Sequence, residues 1–223
     1  MPDTKLTIRA FLEHLRKYGA VYLIGIAACL FGTELLWTVT TPAVPAEQSV
    51  IIYLAGSYSN PEALEGIAEE MLTQGKKFDP KLKTVEFQSI PYYEPDMDYS
   101  GPMVLMAKLS VGEGDAFLAS KTVMDQLVAG GALLPLDGPV EEGWMNDCPL
   151  EPYYADYTDE ETGEKFTFLA GLKIDTLEAL SEMGAFYNEG STLAVAANGT
   201  NRDTTLYCLE ILVHSLQSLN AAP

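Results

Sequence analysis

The chain has 223 residues, of which 32 are acidic and 13 are basic, so its formal net charge at pH 7 is −19. A surface this negative repels phosphate backbones, which argues against nucleic acid as a partner. About 180 residues follow an apolar N-terminal region, which is enough chain for one ordinary domain or a small two-lobed one.

A charge-free and mostly apolar run covers residues 18–33. With the apolar residues that follow Glu34, it reaches the length of about 20 residues that a membrane span needs. Four basic residues precede it, and basic flanks tend to stay in the cytoplasm: Lys5, Arg9, Arg16 and Lys17. We therefore predict a single-pass protein of the cell membrane, with a cytoplasmic tail over residues 1–17, a transmembrane anchor over 18–40, a linker over 41–49 and an extracellular domain over 50–223.

Residues 26–29 also resemble a bacterial lipobox, in which Cys29 would be the lipidated residue after cleavage of a signal peptide. The apolar core of a signal peptide is short, about 7–15 residues, and a lipoprotein usually turns polar after that cysteine. Here Leu30 and Phe31 follow, and then Leu35 and Leu36. We therefore expect an uncleaved anchor, with a lipoprotein attached through Cys29 and a buried helix of a soluble protein as alternatives.

Beyond the linker, apolar strand patterns alternate with amphipathic helix patterns. Strands are predicted over residues 50–54, 84–90 and 116–119. Helices are predicted to start at Asn60, to cover residues 102–109 and to start at Ser120, and residues 133–136 close the unit. This alternation is typical of an α/β fold. We therefore predict a mainly parallel sheet flanked by helices.

The second half of the domain is less regular. Residues 138–190 are predicted to form a hairpin-rich insert, in which a turn at residues 161–164 leads into a strand over 165–169. A further apolar strand is predicted over residues 193–197. Asn201 is predicted to start the last helix, whose apolar stripe contains Leu206, Leu209, Val213 and Leu216.

Candidate ligand contacts come from the ends of the predicted strands, because ligands of open α/β sheets meet the carboxyl ends of the strands. Helix starts at this edge also offer free backbone N–H groups. In the alternative interpretation, residues 57–60 are only a turn and a helix cap. Asp115 sits at the start of its strand, far from this edge, and is expected to hold a loop. The candidate ligand-binding residues are Ser57, Tyr58, Ser59, Tyr92, Tyr93, Glu94, Ser120 and Lys121.

Tyrosines cluster in two parts of the chain, and aromatic faces stack on the C–H surfaces of sugars. A sugar site is therefore one interpretation, and packing of these rings into the domain's own surface is the other. The two clusters are Tyr92, Tyr93 and Tyr99, and Tyr153, Tyr154 and Tyr157.

Cys148 and Cys208 are the only cysteines of the predicted domain. One disulfide between them is permitted in an oxidising compartment, but the sequence gives no distance, and two separate thiols are favoured. His14 and His214 lie at opposite ends of the chain, so a Cys/His zinc site is not expected. The acids between residues 156 and 164 lack the EF-hand spacing. We expect no metal site and no cofactor.

Two stretches of the chain resemble a known family. The first is Gly112-Glu113-Gly114-Asp115-Ala116-Phe117-Leu118-Ala119-Ser120, followed after a predicted helix by Gly131-Ala132-Leu133-Leu134-Pro135-Leu136-Asp137. The second is Leu193-Ala194-Val195-Ala196-Ala197-Asn198-Gly199-Thr200-Asn201 before the last helix. Over about half of the chain, this order resembles the first lobe of extracellular solute-binding proteins, the type 2 periplasmic-binding-like family that serves bacterial ABC importers.

The chain departs from that family in length. Family members carry a full second lobe, whereas only about 50 residues separate Pro139 from Glu189, which is too few for a lobe of ordinary domain size. The resemblance therefore implies a shortened, one-lobed, non-catalytic form. It implies weak binding of a small polar solute or oligosaccharide, with an ABC permease or another membrane protein as partner.

Two other functions stay open from the sequence. The first is an adaptor or sensor ectodomain that docks on a membrane protein complex. The second, weaker alternative is a hydrolase of cell-wall glycans, because such chemistry needs only two carboxylates at a set distance. The chain contains no GxSxG, HExxH or P-loop motif, so we expect no enzyme activity.

Overall fold

The computed structural model describes residues 8–40, 44–92, 100–147, 150–158 and 163–221, and in the first range it describes the side chains of residues 16–33 only. It divides into two units, Met1–Ala43 and Val44–Pro223, which we describe separately.

The described residues of the N-terminal unit form one helix, α1 (Ile8–Thr40). Among the residues that the structure describes, no helix has both the length and the apolar character needed to cross a membrane. The side chains of residues 34–40, the end of the predicted anchor, lie outside the described set.

The second unit is built on one six-stranded sheet with the strand order β2-β1-β3-β6-β5-β4. Its strands are β1 (Ser49–Gly56), β2 (Thr84–Pro91), β3 (Ala116–Ala119), β4 (Pro152–Thr158), β5 (Lys165–Lys173) and β6 (Thr192–Val195). Its helices are α2 (Glu65–Phe78), α3 (Ser100–Ser110), α4 (Lys121–Ala129), α5 (Asp137–Glu141), α6 (Ala179–Glu182) and α7 (Arg202–Asn220). The prediction of an α/β fold with a sheet flanked by helices is confirmed.

The three strands predicted for the first half are parallel. β1 pairs with β2 from Ser49 opposite Thr84 to Gly56 opposite Pro91, and it pairs with β3 on its other side. All of β1 except Ile51 is buried, as expected for a parallel strand that is covered on both faces. The carboxyl ends of β1 and β3 therefore meet at one edge of the sheet.

The other three strands correct the prediction of a mainly parallel sheet. β6 runs antiparallel to β3, β5 antiparallel to β6, and β4 antiparallel to β5. The described sheet is therefore mixed. An apolar run identifies a buried strand but carries no information on its direction, which is why the sequence did not reveal this arrangement. The β4–β5 hairpin extends the same sheet, because β5 pairs with β6.

Alternate residues of the central strands serve two separate cores, because successive side chains of a strand point to opposite faces. Ile52 and Leu54 of β1 pack in a cluster with residues of α2 and α7. Tyr53 and Ala55 pack on the other face with residues of α3 and α4. A fully buried side chain of this kind contributes about 1.5–3 kcal/mol relative to an exposed one. The sheet is thus fixed between two helical layers.

Asp115 holds the loop that follows β6, as predicted. Its Oδ2 atom accepts a hydrogen bond of 2.9 Å from the Ile51 backbone N–H, and its carboxylate also accepts one from the Thr200 backbone. The Asp115 carbonyl accepts a third bond of 2.9 Å from the Ala196 N–H. Burial raises the pKa of Asp115, and the two backbone donors partly offset the rise.

The substitution Asp115→Ala is expected to lower the free energy of unfolding by about 2–4 kcal/mol, because it leaves two backbone N–H groups without an acceptor. Asp115→Asn keeps one acceptor oxygen, so its free energy of unfolding is expected to lie between those of the wild type and Asp115→Ala. Urea unfolding monitored by circular dichroism measures both.

The same variants test how the stability of the fold depends on pH. Because the pKa of Asp115 is higher in the folded chain than in the unfolded one, its protonation stabilises the fold below the unfolded pKa, and this contribution is lost as the pH rises through the folded pKa. The wild type should show this loss and Asp115→Ala should not. If the unfolding free energy varied with pH in the same way in the two proteins, Asp115 would not be the group responsible.

Candidate functional site

A cleft of about 380 Å³ opens at the edge of the sheet where β1 and β3 end. Five of the predicted ligand-binding residues line it: Ser57, Tyr58, Tyr92, Ser120 and Lys121. They come from three separate segments of the chain that follow β1, β2 and β3. The sheet edge chosen from the sequence is therefore the edge at which the cleft forms.

The other three predicted residues have different positions. Ser59 does not line the cleft; its hydroxyl lies 2.5 Å from the Ser89 hydroxyl, and its backbone forms an isolated bridge with Phe186. Ser59 thus fastens the turn to β2 and to the segment before β6. Tyr93 and Glu94 lie outside the described residues.

The opposite side of the cleft comes from residues 186–191, which the sequence did not reveal as part of the site. This segment contributes Phe186, Tyr187, Glu189, Gly190 and Ser191 to the lining. It reaches the cleft because β6 is antiparallel, so that Thr192 at its start pairs with Ala119 at the end of β3. No local signal marks this position; only the direction of β6 decides it.

Polar contacts hold the 186–191 segment in place. The Asn188 side chain is buried, and its Nδ2 atom donates to the carbonyls of Ile174 at 3.3 Å and Asp175 at 2.8 Å. Its Oδ1 atom accepts from the Ser181 hydroxyl. The Asp175 carboxylate accepts from the Gly190 N–H at 2.6 Å. This side of the cleft is therefore preformed by hydrogen bonds that do not use the lining side chains Tyr187 and Glu189.

Gly56 and Phe186 form the floor of the cleft. A Cβ atom at Gly56 would lie 3.0 Å from the Phe186 ring, which is itself buried. The Gly56 carbonyl is used inside the protein, where it accepts a hydrogen bond of 2.9 Å from the Tyr92 N–H. A ligand would therefore meet an apolar ring edge at the bottom of the cleft.

Two exposed tyrosines stand above this floor. Tyr58 is 55% exposed and Tyr187 is 53% exposed. Both also line a second depression of about 290 Å³, which shares Ser57 and Phe186 with the first. The two depressions are thus joined at the tyrosines. Two half-exposed aromatic rings in the lining of the cleft are suited to stacking on a flat or ring-shaped solute.

The cleft carries charges of both signs. On one side, Ser120 precedes α4 in an extended conformation and makes no side-chain capping bond, so the N-terminal N–H groups of α4 are available there. The Lys121 side chain on the same side is exposed. On the other side, the Glu189 carboxylate accepts a hydrogen bond from the Tyr187 hydroxyl. This bond raises the pKa of Tyr187, and the Glu189 charge adds to the rise. The cleft can therefore donate to and accept from the hydroxyl or charged groups of a solute.

Tyr92 contributes its ring to the lining, but not its hydroxyl. The Tyr92 oxygen is fully buried, and burial raises its pKa while the nearby Gln126 side chain lowers it. Its role is to form part of the cleft wall and to pack against the core beneath α4.

Of the two predicted tyrosine clusters, the first contributes Tyr92 to this cleft, and the described residues of the second lie elsewhere. Tyr99 lies outside the described residues, as Tyr93 does. Tyr153 packs against the α4 side of the sheet, and Tyr157 lies beside Gly131. Tyr154 is exposed on the hairpin. β4 is at the far edge of the sheet, which places the second cluster away from the ends of β1 and β3, and the interpretation of its rings as surface packing fits Tyr153 and Tyr157.

The Cys208 side chain is buried in α7 and forms no disulfide with another described residue. Burial raises its pKa to about 12, and the Asp115 charge adds to the rise. Cys148 lies outside the described residues, so the pairing of the two cysteines is not tested. Within the described ranges, no three His, Cys, Asp or Glu side chains lie close enough together to hold a metal ion.

A scan against protein-family models and a search of curated proteins found no match to this chain.

Proposed function

We propose that this chain is a membrane-anchored, extracellular, solute-binding-like protein that binds a small polar solute or oligosaccharide without catalysis. The observation that carries the proposal is the cleft at the ends of β1 and β3, which the half-exposed Tyr58 and Tyr187 line together with Lys121 and Glu189. Its volume of about 380 Å³ lies in the range of small-molecule sites.

The first of the two stretches that resemble solute-binding proteins supports the proposal by its position in the fold. The first stretch forms β3 and ends at Ser120, on the cleft. The segment that follows α4 is tied to the sheet, because the Leu134 N–H donates to the Val195 carbonyl and the Leu136 N–H to the Leu169 carbonyl. Asp137 accepts from the Leu169 N–H at 3.0 Å. These residues therefore build the lobe on which the cleft lies.

Weak binding is expected because the described cleft has one lobe behind it. Solute-binding clamps close two lobes around the ligand and bury most of its surface. Here stacking on two tyrosines and hydrogen bonds from a single lobe must suffice. A dissociation constant between about 10 μM and 1 mM would correspond to such partial burial.

Glycoside hydrolysis is the less favoured function for this cleft. Glu189 is the one carboxylate among the described residues that line it, whereas acid–base hydrolysis of glycosides uses two carboxylates on either side of the bond. The proposal therefore contains no bond-breaking step.

Isothermal titration calorimetry of the full chain against a panel of sugars, amino acids and short peptides tests the proposed binding. Saturable heat is expected with at least one class of compound, and this heat should disappear in Lys121→Glu, which inverts the charge at the start of α4. Saturable binding that Lys121→Glu leaves unchanged would place the ligand elsewhere, and no heat with any compound would refute the proposal.

The membrane anchor remains part of the proposal, and the sequence of residues 18–40 supports it through its apolar length and its basic flank. The full chain is expected to stay in the membrane pellet after extraction with alkaline carbonate. The variant Cys29→Ser should stay there as well, because an uncleaved helix needs no lipid. Release of this variant alone would indicate a lipoprotein, and release of the wild type would refute the anchor.

A further inference from the structure

A groove of about 550 Å³ lies between α2 and α7, on the face of the sheet opposite to α3 and α4. Its floor is apolar: Ile67 of α2 and Ile211 of α7 are buried side by side, while Met183 and Leu219 are partly exposed at one end. The groove is open to solvent along one side. An open groove with helical walls suits a second helix better than a small solute.

Gly66 leaves part of the groove empty. No atom lies within 4 Å of the position that a Cβ atom would occupy there, and the residue is exposed. Glycine destabilises a helix relative to alanine, and no neighbour or positive φ angle requires it at this position. The gap would let a side chain of a partner helix approach the α2 backbone.

Glu70 is a carboxylate held in place above this floor. Its Oε1 atom accepts from the Gln74 amide at 2.9 Å, and its Oε2 atom accepts from the Ser215 hydroxyl of α7 at 3.0 Å. These bonds fix the carboxylate across the two helices. No lysine or arginine is among the described residues that line the groove, and His214 is its one titratable nitrogen group.

We propose that this groove binds a basic amphipathic helix of a partner protein, with apolar side chains over Gly66 and an arginine paired with Glu70. Charge complementarity decides the occupant. Residues 42–223 contain 29 acidic and 9 basic residues, so a second copy of the chain or an anionic lipid surface would be repelled, whereas a cationic helix is attracted. Arginine suits a fixed carboxylate because its planar fork can bind both oxygens. The groove shares no lining residue with the cleft at the strand ends. A surface that binds a partner protein is what an adaptor function would need.

A synthetic probe tests the proposal with the full chain in phosphatidylcholine nanodiscs, with empty discs as the blank. The probe is a fluorescent helical peptide of about 18 residues with leucines on one face and arginines beside it. A charge-inverted peptide, in which glutamates replace the arginines, is the control peptide. Fluorescence anisotropy should show micromolar binding of the basic peptide and none of the acidic one.

Variants of the chain locate the binding. Gly66→Trp, which fills an exposed gap and should leave the thermal unfolding curve unchanged, is expected to abolish binding. Glu70→Gln should weaken it about tenfold, as expected for loss of a charge pair. Glu65→Gln is the matched control, because it removes an exposed carboxylate of the same helix that does not line the groove; it should change little.

Three outcomes would overturn the proposal. They are equal binding of the two peptides, unchanged binding to Gly66→Trp, and a dimer in analytical ultracentrifugation that Gly66→Trp dissociates, which would make a second copy the occupant. Lys121→Glu should not affect the peptide, so the groove and the solute cleft can fail independently.

Discussion

Replacing Gly114 with alanine is expected to remove much of the stability of the domain. Gly114 has a φ angle of +101°, and an added Cβ atom would lie 2.2 Å from the Cε2 atom of Tyr53. That ring is buried and stacks on Phe117, with ring centroids 5.9 Å apart, so it has no free space to enter. Backbone strain and overpacking together should cost about 3–5 kcal/mol, a large part of the stability of a typical domain.

Gly112→Ala is the matched control in the same loop. Gly112 also has a positive φ angle, +67°, but no atom lies within 4 Å of the position of its Cβ. Only the backbone strain applies, so the loss should be about 1–2 kcal/mol. Urea unfolding monitored by circular dichroism compares the two. Equal losses would show that the Tyr53 ring does not lie against Gly114 as described.

The double substitution of Tyr58 and Tyr187 by alanine is expected to weaken solute binding about thirtyfold or more, in the range of a two-residue binding hot spot. Both rings are about half exposed, so their removal should not unfold the domain. Each single variant should lose part of the affinity, because the two rings line both depressions of the site. Calorimetry with the best compound of the panel measures the loss.

Tyr154→Ala is the control for the tyrosine pair. Tyr154 is 59% exposed, similar to Tyr58 and Tyr187, but it lies on β4 at the far edge of the sheet. Its removal should leave the affinity unchanged. If Tyr154→Ala weakens binding as much as the double variant does, the solute is bound at the hairpin and the assignment of the cleft is wrong.

The parts of the fold that the sequence predicts well are those set by neighbouring residues. The apolar stripe of α7 is an example: Leu209, Val213 and Leu216 are fully buried, while Leu206 is only partly buried. Helix starts are also local, and α7 follows Asn201 as predicted. The Asn201 side chain, however, does not cap the helix but donates to the carbonyls of Ala46 and Ser49, a contact between distant segments.

The parts that the sequence does not reveal depend on chain direction. The strand from Thr192 to Val195 has the apolar pattern expected of it, but its antiparallel course comes from tertiary packing. A parallel strand would have carried Tyr187 and Glu189 to the opposite edge of the sheet. The side of the cleft formed by residues 186–191 could therefore not be predicted from the sequence. Ser57, Tyr58, Ser120 and Lys121 could be predicted from the strand ends alone.

Hydrogen–deuterium exchange of the full chain, with and without a saturating solute from the panel, tests the central claim most directly. Slower exchange is expected in the segments around Tyr58, Lys121 and Tyr187, which border one cleft although they are far apart in sequence. Exchange in α2 and α7 should not change. Protection confined to the β4–β5 hairpin, or to the groove between α2 and α7, would contradict the claim that the cleft at the strand ends is the solute site.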